Sequence, residues 1–341
     1  MSSKIVKVHI KNNRWAEGSF PNTPEGEEVF TITQERFDAA LAAYPSLEGR
    51  MEVFIDWDED NFASSMADTD VLLTWNLPTD GLGDIAKQLK WIHCIGAGVE
   101  HMLPMDWLPS GVALTNNKGV HADKAGEYGL MAVLMLHNNM PAILTNQRAH
   151  KFESLYSTPI ASSTIVVVGT GSLGGAAIKK LAPLGPHIIG VNRHGGPVEG
   201  CSEVVTIAEL DSVLPKADYL YLAVPDTPET TGLMNRARLD LLKPTCGIVN
   251  VGREPVMDYD ALREKLESGA LAGAVLDVFS PEPIDAASPL WDTPNLVVTP
   301  HVSADDGDSY VPLTLDLFFR NMERFLGGEE LLNPVRPDLG Y

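Results

Sequence analysis

Arg253, Glu282 and His301 each follow an apolar run in the second half of the chain. Arg253 comes after 247–251, Glu282 after the run ending at Leu276, and His301 after the run ending at Thr299. These residue types suit proton transfer beside an anion. A guanidinium presents a planar fork that matches a carboxylate. An imidazole donates and accepts protons near neutral pH, its unperturbed pKa being about 6.5. Singly, each has an ordinary reading: an arginine after a strand is a surface charge, a glutamate before proline marks a turn, and a histidine after proline caps a segment. Their joint placement selects them, because open α/β sheets bind ligands beyond the carboxyl ends of their strands. The other histidines, among them His93, His121, His150 and His194, gain no such support and read as structural or surface residues.

A second constellation lies upstream. Gly169, Gly171 and Gly174 stand in G-x-G-x-x-G spacing between an apolar, β-branched run at 163–168 and a helix-like stretch at 176–182. Strand, glycine turn and helix form the context in which this spacing indicates dinucleotide binding. The first glycine permits the tight turn, the second lets the backbone approach a pyrophosphate, and the third lets helix pack close to strand. Unpaired N–H groups at the helix start, around Ser172, Leu173 and Gly174, together with the helix dipole, suit phosphates.

The elements that must position these groups alternate between strand and helix. Strand-like runs stand at 5–10, 51–55, 71–75, 91–95 and 112–115, with helical spacing at 32–44, 60–66 and 82–89 between them. Residues 18–30 read as a loop. A long apolar helix at 125–140 and a shorter one to about 150 precede the glycine-rich unit. Further strands are expected at 187–191, 219–224, 247–251, 273–276 and 295–299, and a last helix at 309–326. This pattern predicts two doubly wound parallel sheets, an α/β fold in which a flavodoxin-like first unit precedes a Rossmann dinucleotide-binding unit. The expected boundaries are 1–118 with 303–341 for the first, substrate-binding domain and 119–302 for the dinucleotide-binding domain. The crossings near 116–122 and 300–305 would then serve as hinges.

Composition narrows the partners. The chain has 341 residues, 44% of them hydrophobic, with 46 acidic against 25 basic residues and a net charge of −21. No basic field exists to attract a phosphate backbone, so nucleic acid is not an expected partner. Any anion site needs a local positive focus. The three cysteines, Cys94, Cys201 and Cys246, form no C-x-x-C pair, and no Cys/His cluster has zinc spacing, so no metal is expected. Neither an apolar signal segment nor a membrane-length apolar run is present, and the expected location is the cytoplasm.

Several motifs in order then resemble the D-isomer-specific 2-hydroxyacid dehydrogenases. They are Gly96-Ala-Gly-Val-Glu100, Asn117-Lys-Gly-Val120 with Glu127, the glycine fingerprint, Leu222-Ala-Val-Pro-Asp-Thr-Pro-Glu-Thr-Thr231, Val249-Asn-Val-Gly-Arg253, Gly273-Ala-Val-Leu-Asp-Val-Phe279 with Glu282-Pro283, and Thr299-Pro-His301. The resemblance covers about 91 to 335; the first ninety residues are less diagnostic. It implies a hydride transfer between a nicotinamide cofactor and a small 2-oxo or 2-hydroxy acid. In it Arg253 binds the substrate carboxylate and the adjacent oxygen, His301 exchanges the proton, and Glu282 hydrogen-bonds His301 and favours its charged form. Backbone N–H groups of Ala97, Gly98 and Val99 help hold the carboxylate. Ala223, Val224, Pro225, Thr230 and Val251 border the cofactor, and Asp277 contacts the nicotinamide carboxamide. A homodimer is implied too, and the apolar stretch 128–136 would suit its interface.

Two positions depart from the family pattern. Glu254 stands where a glycine usually follows the arginine and adds negative charge near the anion site. The second strand of the nucleotide unit ends in Asn192 and Arg193 rather than in an acidic residue. No carboxylate there repels a 2′-phosphate, and Arg193 suits one, so NADP(H) is the expected cofactor, with NAD(H) the alternative. This is the pattern of the NADP-preferring, glyoxylate/hydroxypyruvate reductase-like branch, reducing a 2-oxo acid to the D-2-hydroxy acid. The competing expectation is a non-enzymatic cofactor sensor like the corepressors that resemble this family; cofactor binding without turnover of any 2-oxo acid would favour it. Trp75, Asn76, Met102 and Trp291 are further candidates to shape the pocket.

Overall fold

The computed structural model describes residues 5–15 and 24–336. The chain divides into two compact units, Met1–His121 with Asp306–Tyr341, and Ala122–Asp305.

The first unit is built on five parallel strands: β1 (Val6–Asn12), β2 (Met51–Trp57), β3 (Val71–Thr74), β4 (Trp91–Cys94) and β5 (Ala113–Asn116), in the order β2-β1-β3-β4-β5. This is the flavodoxin-like order, with its switch point between β1 and β3. β3 and β4 are buried at every position, as expected for parallel strands covered on both faces. One face packs Val6, Val8 and Ile10 against Phe37, Phe318 and Phe319. The last two come from the helix Tyr310–Gly327, which stacks Phe318 on Trp91 at 5.0 Å and ends where Gly328 adopts φ 69°. Its apolar stripe at helical spacing is what returns the C-terminal segment to this sheet. The expected loop at 18–30 is corrected in part. Residues 24–30 form a helix, Pro24–Phe30, with proline at the first helical position, where its missing N–H is not needed; residues 18–23 lie outside the described residues. The helix expected at 82–89 stops at Ile85, because Ala86 leaves helical geometry (φ −102°, ψ 54°).

The second unit carries seven parallel strands: β6 (Thr164–Val168), β7 (His187–Asn192), β8 (Glu203–Thr206), β9 (Tyr219–Leu222), β10 (Gly247–Asn250), β11 (Gly273–Leu276) and β12 (Leu296–Val298). Their order, β12-β11-β10-β9-β6-β7-β8, is doubly wound about β6 and β9. β8 is missed by the sequence reading; it is an edge strand, half-buried throughout, and lacks the apolar density of its neighbours. The helix Ala122–His137 crosses the helix Ser172–Leu181 closely. A Cβ on Gly129 would lie 2.8 Å from that of Ala177, so the contact needs glycine. Tyr128, Ala132, Val133 and Leu136 are therefore core, which corrects the expected interface role of 128–136 at those positions; Met131 alone of the large residues there is exposed.

Candidate active site

The glycine turn takes the form its spacing requires. Gly169 adopts φ 92°, and a Cβ there would lie 2.5 Å from the Ala223 carbonyl. A Cβ on Gly174 would fall 1.8 Å from the Gly169 carbonyl, so turn and helix could not both keep their places. At Gly171 a Cβ would meet nothing within 4 Å. Gly169 and Gly174 thus serve the protein's own packing, whereas Gly171 leaves backbone open at the start of the helix Ser172–Leu181. This arrangement fits a pyrophosphate, with Ser172 and Leu173 supplying N–H groups from the first turn.

Beyond β7, the Asn192 carbonyl oxygen accepts from the backbone N–H groups of His194 (3.0 Å) and Gly195 (2.7 Å), while its amide donates to Thr170 Oγ1 (3.1 Å). Asn192 therefore shapes the turn that presents Arg193. The Arg193 guanidinium, partly exposed, donates to Glu229 at 2.8 Å. After β9, Ala223 is half-buried, Val224 is buried and Pro225 is exposed. Thr230 is buried, and its hydroxyl donates to the Pro225 carbonyl (2.6 Å) and accepts from the Thr227 N–H (2.9 Å), so it holds the 225–231 turn. Val251 lies in the core beside Val249.

The three chemistry-bearing residues sit in this same unit. After β10, Asn250 pins the turn: its Oδ1 accepts from the Gly252 N–H at 3.0 Å and its amide donates to the Arg253 carbonyl at 3.1 Å. Arg253 itself donates to the Gly252 carbonyl at 2.8 Å. After β11, one Glu282 oxygen accepts from the Phe279 N–H at 2.7 Å and the other faces Nδ1 of His301 at 2.7 Å. After β12, His301 adopts φ 53°, a left-handed backbone that a non-glycine residue takes only when its surroundings impose it.

Asp277 supplies part of that imposition. It is fully buried, and its carboxylate accepts from Thr299 Oγ1 (2.6 Å) and from the N–H groups of Val302 (3.0 Å) and Ser303 (2.9 Å). Asp277 thus clamps the segment that bears His301. Tyr128 extends the clamp through Thr299 Oγ1 at 2.6 Å.

Electrostatics favour the charged form of His301. Burial pushes its pKa down, but the hydrogen bond and charge of Glu282 outweigh burial, and the net shift is upward; Arg253 opposes it. Burial likewise works against ionised Glu282, yet the His301 bond and charge hold its pKa below the ordinary value. A histidine whose charged form is favoured, next to an arginine, can donate a proton to an oxygen that an anion carries. Glu254, the departure, has its pKa raised by burial and by Glu282 and Asp260, and it accepts a backbone hydrogen bond from Ser280. It ties the loop after β10 to the loop after β11.

The sequence reading missed Asp305. Burial, with Asp277 and Glu282 near it, raises its pKa to about 6, while His301 pulls the other way. The only signal in the sequence is a position four residues past His301 in an Asp-Asp pair.

In the first unit, Ala97, Gly98 and Val99 follow β4. Asn116 donates to the Ala97 carbonyl at 2.7 Å and so fixes this loop, and Val99 is buried. Trp75 stacks on His101 at 4.5 Å, Met102 is core, and Trp291, in the second unit, is exposed and donates to the Asp285 carbonyl. His93 is buried and bonded to Thr115 and Asn117, a structural role. Among the described residues no His/Cys/Asp/Glu group could hold a metal ion, and no helix is long and apolar enough to cross a membrane.

Comparison with known proteins gives this geometry a family. The family model for the NAD binding domain of D-isomer specific 2-hydroxyacid dehydrogenases matches residues 130–303. A glyoxylate reductase from Thermofilum pendens is 30% identical over 80% of this chain and 84% of its own. Mycobacterium tuberculosis D-3-phosphoglycerate dehydrogenase is 29% identical, and this chain spans only 48% of its length. Among solved structures, a D-isomer specific 2-hydroxyacid dehydrogenase from Xanthobacter autotrophicus Py2 in complex with NADPH has a TM-score of 0.81 at 28% identity, covering 99% of this chain and 100% of that one. An NADPH-dependent glyoxylate/hydroxypyruvate reductase from Sinorhizobium meliloti in complex with NADP scores 0.78 at 29% identity, covering 98% and 100%. With the glycine turn, the Arg–Glu–His strand ends and these matches together, the chain belongs to the D-isomer-specific 2-hydroxyacid dehydrogenase family of NAD(P)-dependent enzymes.

Proposed function

We propose that the chain reduces a small 2-oxo acid, with glyoxylate and hydroxypyruvate as reference substrates, to the D-2-hydroxy acid, using NADPH in preference to NADH. The observation that carries this reading is the 2.7 Å Glu282–His301 pair, whose histidine pKa is raised. When bound, the reduced nicotinamide supplies the hydride. Arg253 binds the substrate carboxylate and polarises the 2-oxo oxygen, assisted by the backbone N–H groups of Ala97, Gly98 and Val99. Glu282 occupies Nδ1 of His301, so Nε2 carries the exchangeable proton. As hydride reaches C2, the carbonyl π pair moves onto oxygen and takes that proton, leaving neutral His301 to be reprotonated from solvent. Oxidation runs the same steps backwards, with His301 as base.

The cofactor preference rests on Arg193 and on the lack of a carboxylate at Asn192. Arg193 pairs with Glu229, and a 2′-phosphate would compete with that carboxylate for the guanidinium. The NADPH and NADP complexes of the Xanthobacter and Sinorhizobium relatives favour the same assignment. Steady-state assays with both reduced cofactors and a panel of glyoxylate, hydroxypyruvate, pyruvate and phenylpyruvate test the reading. Turnover that survives both His301→Ala and Arg253→Ala would refute the proposed site; an NADPH/NADH ratio unmoved by Arg193→Ala would refute the cofactor assignment.

A second copy of the chain is the proposed macromolecular partner. Phe152 and Tyr156 are 103% and 90% exposed on the segment between the helix Met140–Arg148 and β6. Two aromatic rings left this open are the kind of surface that association covers.

A further inference from the structure

The carboxyl ends of β1 and β3 hold polar groups that the first unit's own packing does not satisfy. Lys11, the next-to-last residue of β1, is only 3% exposed. Among the described residues its ammonium makes one hydrogen bond, a 3.3 Å contact to Asn76 Oδ1, and no carboxylate lies within salt-bridge distance. That same oxygen already accepts from the Asn13 side-chain amide at 2.7 Å, and the Asn13 Oδ1 is buried with no partner among the described residues. Beside them lies a small cavity walled by Trp15, Phe30, Trp75 and Ile95, with room for about one water molecule, the size of a single carboxylate oxygen. Burial works against the charge on Lys11, and the nearby but unbonded Asp58 and Glu59 work for it.

A buried cation with no carboxylate in direct contact is destabilising, and an unsatisfied polar group beside it compounds the cost. Proteins keep such arrangements where a ligand completes them. The placement agrees: these strand ends are at the same end of the sheet as the Gly96–Val99 loop after β4, beyond the carboxyl ends where such sheets bind ligands. In a chain of net charge −21, Lys11 is also a local positive focus shielded from water by aromatic rings.

We propose that Lys11 is a specificity-determining residue that binds a second, distal carboxylate, so that the preferred substrates are short 2-oxo dicarboxylic acids. Asn76 orients the ammonium, and the Asn13 oxygen takes a water or a substrate hydroxyl. The inference rests on the 2-oxo acid reductase reading and adds to it the chemistry of the substrate's far end.

The test compares 2-oxosuccinate with 2-oxobutyrate, which lacks the distal acid, in the wild type, Lys11→Met and Lys11→Gln. The wild type is expected to favour 2-oxosuccinate in kcat/KM, and both variants to lower that preference by about 30-fold or more, chiefly through KM, as loss of one partner of a desolvated charge pair does. Thermal unfolding checks the fold; removing an unpaired buried charge should not lower Tm. A wild-type preference for 2-oxobutyrate, or a preference unmoved by both variants, overturns the proposal. Should no 2-oxo acid be turned over, the reductase reading fails, and calorimetry with D-2-hydroxysuccinate and D-2-hydroxybutyrate decides the Lys11 assignment. Selective weakening of the diacid in the variants supports it; equal or no weakening overturns it.

Discussion

In the proposed reaction Glu282 acts through His301, and its effect has a definite sign with pH. Its hydrogen bond and charge raise the histidine pKa against both burial and Arg253. In Glu282→Gln those two downward influences are no longer outweighed, so the imidazolium needed for reduction disappears at lower pH. The alkaline fall of kcat/KM for reduction should move to lower pH, with a loss of about 10- to 100-fold at pH 8 and a smaller one at pH 5.5. A uniform loss at all pH values would mean that Glu282 only positions the ring. Asp305 has the opposite linkage. Its folded pKa, about 6, lies above the ordinary carboxyl value, so its ionisation disfavours the fold as pH rises from about 4 through 6. Asp305→Asn should therefore stabilise the protein by about 1–2 kcal/mol at pH 7.5 and by almost nothing at pH 4, as read from urea unfolding.

At the scale of elements, the glycine turn separates packing from binding. Gly174→Ala puts a methyl 1.8 Å from the Gly169 carbonyl, and the helix Ser172–Leu181 must shift away from β6. A loss of about 3 kcal/mol of stability is expected, with cofactor affinity falling as a consequence. Gly171→Ala meets no atom of the chain, so Tm should change little while NADPH affinity drops about tenfold or more; titration of cofactor fluorescence measures it. The turn, its flanking strand and helix, and the order Arg253, Glu282, His301 were all legible as spacing. The clamp at Asp277 was not. A carboxylate after a strand does not show in sequence which loop it bonds, since its donors at Val302 and Ser303 are backbone N–H groups that every residue has. The bond from Thr230 to the Pro225 carbonyl was hidden for the same reason.

At the scale of the whole molecule, association is the property most open to test. Phe152→Ser with Tyr156→Ser should shift sedimentation from dimer toward monomer while leaving the unfolding midpoint of the isolated subunit nearly unchanged, since neither ring packs on its own chain. Unchanged sedimentation of the double variant would place any interface elsewhere. The stretch 128–136 shows why such surfaces are hard to read in advance: an apolar helix looks alike whether it meets another copy or its own sheet. Gly129, packed against Ala177 of the helix Ser172–Leu181 and Tyr221 of β9, decided for the chain's own core at Tyr128, Ala132, Val133 and Leu136.

By itself the sequence determined the class of fold, the dinucleotide turn and the strand-end positions of Arg253, Glu282 and His301. Each of these rests on local periodicity, or on glycines whose conformational demands are local. Only the tertiary structure decided which polar groups are already used and which are left over. It bonded Asp277 and Thr230 to the protein's own loops, joined Glu282 to His301, and left Lys11 buried beside Asn76 with no carboxylate in salt-bridge contact among the described residues. Satisfaction of a hydrogen bond or a charge depends on partners brought from distant positions, and that pairing comes into existence only when the strands are side by side.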